Sequence, residues 1–429
     1  MLLEWPTAQR AFFVPSSSSV IITMAYQPGM ILPPPYEHRI PLYEAAPNQE
    51  AFGWPGFNRA AWLIESGQAL QVGFAEFTAP SAHQIVVRNG AVGVNPVEWT
   101  KQFKERTMFP WVECPFVLGN DCAGEVVRVG SMVTQFKVGD RVLAHALSMD
   151  EAVNKSSEGA FQNYTVIREN MAAVIPQSLS YEEACVIPLS LSTAATALFG
   201  QDFLSLHHPG IPRSTGPDSR PEVVLIWGGS TPIGSNAIQL AVAAGYEVIT
   251  TCGPHNFEYV TGLGASAVFD YRDPLAIQKI VELMDDKRVV GAVAIGNDSA
   301  EACIEALGRM EGCSKIVARV DIPCPFPGQK PTGAFRSLLA MGASIQANFK
   351  AWMKAKNYGV KTKLVCGTSA AHTEVGAMVY NQFLPGALAT GVFVAVPKPH
   401  VVGKGLEQIQ TALSCHMRGA SAQKIVVSL

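Results

Sequence analysis

The sequence predicts an α/β protein of two lobes, a β-rich barrel-like domain followed by a parallel sheet with crossover helices. Three observations carry that expectation. Short β-branched runs punctuated by Gly, Pro and Asp fill the stretch from residue 58 to 143. Strand-like and helix-like runs then alternate from 223 to 320, as they do in a parallel sheet covered on both faces. A glycine-rich turn stands between the first strand and the first helix of that series. The 429 residues allow two or three domains, and 48% apolar with 16% charged residues describes a globular chain.

Residues 1–56 read as an extension, because nine of the 29 prolines fall in the first 55 residues, including Pro33, Pro34 and Pro35. Such a stretch favours polyproline II and turns, although Trp5, Phe12, Phe13 and Trp54 can pin parts of it to a folded surface. Strands are expected over 60–64, 84–89, 124–129 and 141–143, the last two joined through the turn residues Gly139 and Asp140. Residues 206–221, with Pro209, Pro212, Pro217 and Pro221, read as an exposed loop. The alternating series follows: strands over 223–227, 246–250, 267–269, 289–295 and 315–320, with helices over 233–244, 256–263, 275–286 and 300–309 between them. A strand over 392–396, a helix over 405–417 and a strand over 424–429 end the chain.

Charge and cysteine usage exclude several classes. Thirty-two Lys and Arg against 35 Asp and Glu leave a net charge of −3, without the basic surplus that binding many phosphates needs, so nucleic acid is not expected as a partner. The nine cysteines are scattered with no C-x-x-C, which argues for free thiols in a reducing compartment and a cytoplasmic location. No run of 18 apolar residues occurs, so neither a membrane span nor a signal peptide is expected.

The turn has glycines at 228, 229 and 234, after a strand and before a helix. There backbone N–H groups and a helix N-terminus can cradle a pyrophosphate, which makes Gly228, Gly229, Ser230, Thr231, Pro232, Ile233 and Gly234 the candidate dinucleotide-binding residues. The alternative is a tight strand-to-helix turn with no ligand. Cofactor choice rests on the end of the second strand, where NAD-binding chains usually place an acid that accepts from the ribose 2′-hydroxyl. This strand runs out through Thr250, Thr251 and Cys252 to Gly253 without one, and Glu247 stands too early. No carboxylate then repels a 2′-phosphate, Gly253, His255, Asn256, Tyr271 and Arg272 lie nearby in sequence, and the expected cofactor is NADPH.

These features, with Asn95-Pro-Val-Glu-Trp99, Phe116-Val-Leu-Gly-Asn-Asp-Cys-Ala-Gly-Glu-Val126, Gly159-Ala-Phe-Gln-Asn-Tyr164, Leu191-Ser-Thr-Ala-Ala195 and Val402-Gly-Lys-Gly-Leu406, resemble the medium-chain dehydrogenase/reductase superfamily. The chain is most similar to its zinc-independent quinone-oxidoreductase-like branch and to fungal secondary-metabolite oxidoreductases and trans-acting enoyl reductases. The resemblance covers residues 57–429. It implies a GroES-like catalytic domain built from both chain ends (57–190 and 346–429), a doubly wound Rossmann domain for NADPH over 191–345, and substrate in the cleft.

Zinc-containing members use a Cys, a Gly-His-Glu motif and a further Cys, where this chain has Asn95 and Gly119-Asn120-Asp121. An amide is a poor zinc ligand, so no metal is expected. Cys122 and Cys185 read as core residues and His145 as a packed structural histidine. With no Lewis acid, an activated C=C bond is an easier hydride acceptor than an isolated ketone, because its charge spreads as an enolate. The expected reaction is reduction of an enoyl or enone group on a polyketide-like intermediate, a small molecule either free or bound to a carrier protein, by a monomer or homodimer.

Relatives often carry Asn-Pro-x-Asp-x-Lys; here Glu98 stands at the Asp position and Thr100 at the Lys position, with Lys101 one place late. Thr100, Tyr164, Thr165 and Thr193 are therefore the candidate donors near the reacting atoms, with barrel wall, strand or cap roles as the alternatives. Ketone or aldehyde reduction, alcohol oxidation, and a cofactor-binding partner or sensor with little turnover are the competing functions.

Overall fold

The computed structural model describes residues 57–103, 109–210, 221–320 and 349–429. The extension expected over 1–56 and most of the loop expected over 206–221 lie outside the described residues.

The first lobe begins with β1 (Asn58–Leu63), β2 (Gln71–Ala75), β3 (Gln84–Gly93), α1 (Pro96–Phe103), β4 (Phe116–Val117), β5 (Asp121–Val129) and β6 (Arg141–His145). After it come β7 (Tyr164–Arg168) and β8 (Ala172–Val174). Strand β1 pairs antiparallel with β2 and β4, while β3 pairs antiparallel with both β5 and β7, and β6 lies between β5 and β8. Apolar residues such as Ile85, Val87, Val92, Val126, Val142 and Ala144 fill the interior of this barrel. The expected turn between β5 and β6 is present: Gly139 takes a φ of +92°, and the Asp140 carboxylate accepts the Lys137 N–H.

Two helices lead out of the barrel. The short α2 (Tyr181–Ala184) starts at a Ser180 and Glu183 capping box, and α3 (Pro188–Phe199) starts on a proline, which needs no amide hydrogen there. The chain then enters the second lobe through β9 (Glu222–Trp227), α4 (Pro232–Ala243), β10 (Glu247–Cys252), α5 (Phe257–Gly262), β11 (Ala267–Asp270), α6 (Ala276–Met284), β12 (Arg288–Ile295), α7 (Ser299–Gly308) and β13 (Ile316–Val320). A helix over 349–358, α8, precedes β14 (Lys361–Leu364).

These six strands are parallel, in the order β11-β10-β9-β12-β13-β14, which is 3-2-1-4-5-6 by sequence. The order reverses between β9 and β12, and in such sheets the crevice beyond the carboxyl ends at that reversal takes the ligand. Val223, Val224, Leu225 and Ile226 of β9 are fully buried, as a central strand covered on both faces requires.

After α9 (Glu374–Ala377) and α10 (Leu384–Thr390), β15 (Lys398–Lys404), α11 (Ile409–Met417) and β16 (Gln423–Ser428) return the chain to the first lobe. Strand β16 pairs antiparallel with β3 and parallel with β15, so both chain ends build one sheet.

One expected strand is absent, and two observed strands were not expected. Residues 392–396 form no strand: both backbone polar groups of Val394 bond to the Gln239 side chain, at 2.8 and 3.2 Å, instead of to a neighbouring strand. Strand β2 was not expected. Nor was β14, a lysine-bearing, mostly exposed edge strand that carries the parallel sheet past the boundary expected at 345. No helix among the described residues is long and apolar enough to cross a membrane.

Candidate active site

The glycine turn lies at the carboxyl end of β9. Gly228, at φ +92°, donates its N–H to Thr251 Oγ1 at 3.1 Å, and Gly229 donates to the Thr251 carbonyl at 2.9 Å, which ties the turn to the end of β10. A Cβ on Gly229 would lie 2.2 Å from Thr250 Oγ1, and one on Gly234 would lie 2.3 Å from the Gly228 carbonyl oxygen, so neither position tolerates a side chain. Thr231 caps α4, accepting from the Gly234 N–H at 3.0 Å while its hydroxyl donates to the Gly228 carbonyl at 2.7 Å. Ser230, Thr231, Pro232 and Ile233 remain partly exposed at the mouth of the helix. A compact turn facing the positive end of a twelve-residue helix fits a dinucleotide pyrophosphate.

The sheet also gathers the residues singled out for the far end of the cofactor. Gly253, His255 and Asn256 follow β10, and Tyr271 and Arg272 follow the neighbouring β11. The position of a Cβ on Gly253 is 2.9 Å from the His255 ring and 3.7 Å from Arg272 Nη1, and the Arg272 guanidinium lies 4.8 Å from the Tyr271 ring centroid. Asp270, opposite Cys252 in register, accepts the Arg272 N–H at 3.0 Å. Ser421, which no sequence feature marked, joins this group from the turn before β16, with its hydroxyl 3.3 Å from His255 Nε2 and 3.4 Å from Asn256 Nδ2.

Where zinc-containing relatives have metal ligands, the structure places a buried cluster of amides and charges. The Lys424 ammonium lies 2.6 Å from Asp121 Oδ2 and donates to Asn95 Oδ1. Asn95 Nδ2 donates to Asp121 at 2.9 Å, and its backbone N–H donates to Glu98 at 2.6 Å. The Asn120 N–H reaches the same Glu98 carboxyl at 3.2 Å. All five side chains are buried. Burial and the Asp121 charge push Glu98 up to about 8, against the pull of Lys424 and Asn95.

This donor set does not fit zinc. Asn95 and Asn120 offer amides, and the Asp121 carboxylate is already neutralised by an ammonium. Cys122 and Cys185 are fully buried, with their thiols pushed up by desolvation. No group of three or more His, Cys, Asp or Glu arranged to hold a metal occurs among the described residues.

The cluster also holds α3. Asp121 Oδ1 accepts the Leu189 N–H at 2.6 Å, placing a carboxylate on the first turn of the helix. On its other side Tyr380 donates to the Pro188 carbonyl at 2.7 Å. That uses the phenol hydrogen, so Ser192 must donate to Tyr380 across 2.8 Å, and His145 Nδ1–H to Ser192 across 2.9 Å. His145 Nε2 is then a bare lone pair, buried with no partner among the described residues. Burial lowers this histidine to about 4 and keeps it neutral, and it is packed as expected.

The four candidate hydroxyls do not converge. Thr193 lies on α3, donating to the Leu189 carbonyl at 2.8 Å, close enough to Gly367 that a Cβ there would lie 2.4 Å from its Oγ1. Thr165 is buried in the barrel, donating to the Gly159 carbonyl and accepting from Asn89. Tyr164, on the same strand, packs edge-on against Phe77 in a cluster with Val86, Val127 and Val166. Thr100 is fully buried inside α1, with no partner for its hydroxyl among the described residues.

Comparison with known proteins agrees with this fold. Residues 81–177 match the alcohol dehydrogenase GroES-like domain. The chain is 49% identical over 376 residues to the dehydrogenase pigH of Monascus ruber, covering 87% of this chain and 99% of that protein. It is 36% identical over 375 residues to the trans-enoyl reductase himH of Aspergillus japonicus, covering 87% and 97%. Among solved structures, the quinone oxidoreductase of Pseudomonas syringae pv. Tomato DC3000 shares the fold, with a TM-score of 0.60 at 21% identity over 87% of this chain and 100% of that one. A β-rich lobe completed by the returning β15 and β16, a 3-2-1-4-5-6 parallel sheet with its glycine turn, and 49% identity to a relative across 87% of the chain establish that the chain belongs to the medium-chain dehydrogenase/reductase superfamily of oxidoreductases.

Proposed function

We propose that the protein uses NADPH to reduce an activated C=C bond, an enoyl or enone group, on a polyketide-like secondary-metabolite intermediate, either free or carried on a protein partner. The observation that carries this reading is the Asn95, Asp121 and Lys424 cluster, which puts an internal ion pair where metal-using relatives polarise a carbonyl. The name of the Aspergillus japonicus relative, a trans-enoyl reductase, supports the same reaction class.

Bound at the turn, NADPH would supply the hydride. Gly229 and Gly234 let the backbone approach the pyrophosphate, and Thr231 holds the turn in shape. His255, Asn256 and Arg272 supply donors beyond the ends of β10 and β11, and the last residues of β10, Thr250, Thr251 and Cys252, include no acid to repel a 2′-phosphate. Asp121 anchors the first turn of α3, and Thr193, which follows on that helix, would be the donor offered to the acceptor.

The test is product analysis after turnover with NADPH deuterated at the transferred position, across a panel of enones, enoyl thioesters, ketones and aldehydes. Deuterium on the carbon β to a carbonyl is the expected result. Deuterium on a carbinol carbon would establish carbonyl reduction instead, and tight binding without oxidation of NADPH by any member would favour a binding role.

A further inference from the structure

We propose that Ser421, on the turn leading into β16, is a specificity-determining residue that donates to the 2′-phosphate of the cofactor; this rests on the NADPH reading above. His255 and Asn256 belong to the turn after β10, whereas Ser421 belongs to the segment that closes the first lobe, yet its hydroxyl lies within 3.3 Å of the His255 ring and 3.4 Å of the Asn256 amide. Both contacts are at the long end of the hydrogen-bond range. His255 and Ser421 are exposed, so a ligand can reach them, while Asn256 is buried behind them.

The backbone around Ser421 is held in an unusual conformation. Gly419 at φ +96° and Ala422 at φ +47° bracket the residue, and a non-glycine residue rarely adopts that region unless its surroundings hold it there. The Ser421 hydroxyl lies against the His255 ring and the Asn256 amide of the turn after β10, and the Arg272 guanidinium lies near Gly253 of that turn.

The chemistry discriminates between cofactors. A 2′-phosphate offers charged acceptor oxygens to a hydroxyl, an amide NH2, an imidazole and a guanidinium, and such charge-assisted bonds are about twice as strong as neutral ones. A ribose 2′-hydroxyl offers one neutral partner. Because Ser421 lies just ahead of a strand of the first lobe while His255 and Asn256 lie on the second, a phosphate held among them ties both lobes at once.

The experiment compares the parent protein with Ser421→Ala, Ser421→Thr and Ser421→Asp, using calorimetric Kd values for 2′,5′-ADP and 5′-AMP and KM values for NADPH and NADH. Melting temperatures without ligand confirm that each variant folds. Ser421→Ala is expected to weaken 2′,5′-ADP and NADPH by about tenfold and to leave 5′-AMP and NADH within about twofold. Ser421→Thr restores the parent preference, and Ser421→Asp removes 2′,5′-ADP binding by charge repulsion. An unchanged Kd for 2′,5′-ADP in Ser421→Ala, or equal losses for both nucleotides, overturns the role of Ser421 while leaving the NADPH reading in place. Parent protein that binds 5′-AMP as tightly as 2′,5′-ADP overturns both.

Discussion

Lys424 lies 2.6 Å from Asp121, with the two side chains 2% and 0% exposed, and the other oxygen of Asp121 receives the amide of Leu189 at the start of α3. The last strand of the chain thus neutralises the carboxylate that anchors the start of α3. A buried pair of this kind need not add stability over an apolar substitute, but removing one partner leaves a buried charge unmet.

Lys424→Met is therefore expected to destabilise the protein by about 3–5 kcal/mol in urea unfolding. The double variant Lys424→Met with Asp121→Asn is expected to recover part of the loss, since it leaves no lone charge. A single variant that unfolds within about 1 kcal/mol of the parent would show that the pair is solvated in solution.

Stability should peak near pH 6.5. His145 and His416 are lowered by burial from 6.5 to about 4, so between pH 4 and 6.5 the unfolded chain holds protons there that the native state does not, and stability rises with pH. Glu98 is raised from 4.5 to about 8, so over 4.5–8 the native state keeps a proton the unfolded chain has lost, and stability falls with pH. Two histidines outweigh one carboxyl below 6.5, and the carboxyl acts alone above it. Urea midpoints from pH 5 to 8.5 check this: a decline above 6.5 that disappears in Glu98→Gln is expected, and a midpoint that keeps rising to pH 8 would contradict the protonated Glu98.

Gly234→Ala should weaken NADPH binding by at least about tenfold, because the new methyl would lie 2.3 Å from a backbone oxygen of the turn and the backbone must move. Titration by cofactor fluorescence reads the loss, and a melting curve without cofactor separates it from misfolding. Parental affinity in a folded variant would place the pyrophosphate elsewhere.

Chelation should leave turnover unchanged. Asn95 and Asn120 present amides, and Asp121 is paired with Lys424, so elemental analysis of freshly purified protein is expected to find zinc well below one per chain. Stoichiometric zinc, with activity lost on its removal, would contradict the donor chemistry of the cluster.

Local pattern made much of the molecule legible. The βα alternation, the turn at 228–234 and the missing acid at the end of β10 are all properties of neighbouring residues, because a strand, a tight turn and a helix start each depend on a few positions in a row. The same pattern misread 392–396 as a strand, since the partner of Val394 is a side chain on α4, 155 residues away. It also passed over β14, whose lysines look like a solvated loop until the strand is seen at the sheet edge.

The site divides in the same way. From its sequence alone the chain specifies two lobes, a glycine cradle and an amide in place of a ligating imidazole, because backbone geometry and side-chain chemistry are local. Which lysine neutralises Asp121 and which serine lies against the turn after β10 were decided only when β16 returned to pair with β3. Those contacts join residues far apart in the chain, 166 positions for Ser421 and His255, and nothing in the spacing of a linear chain encodes where its distant parts will pack.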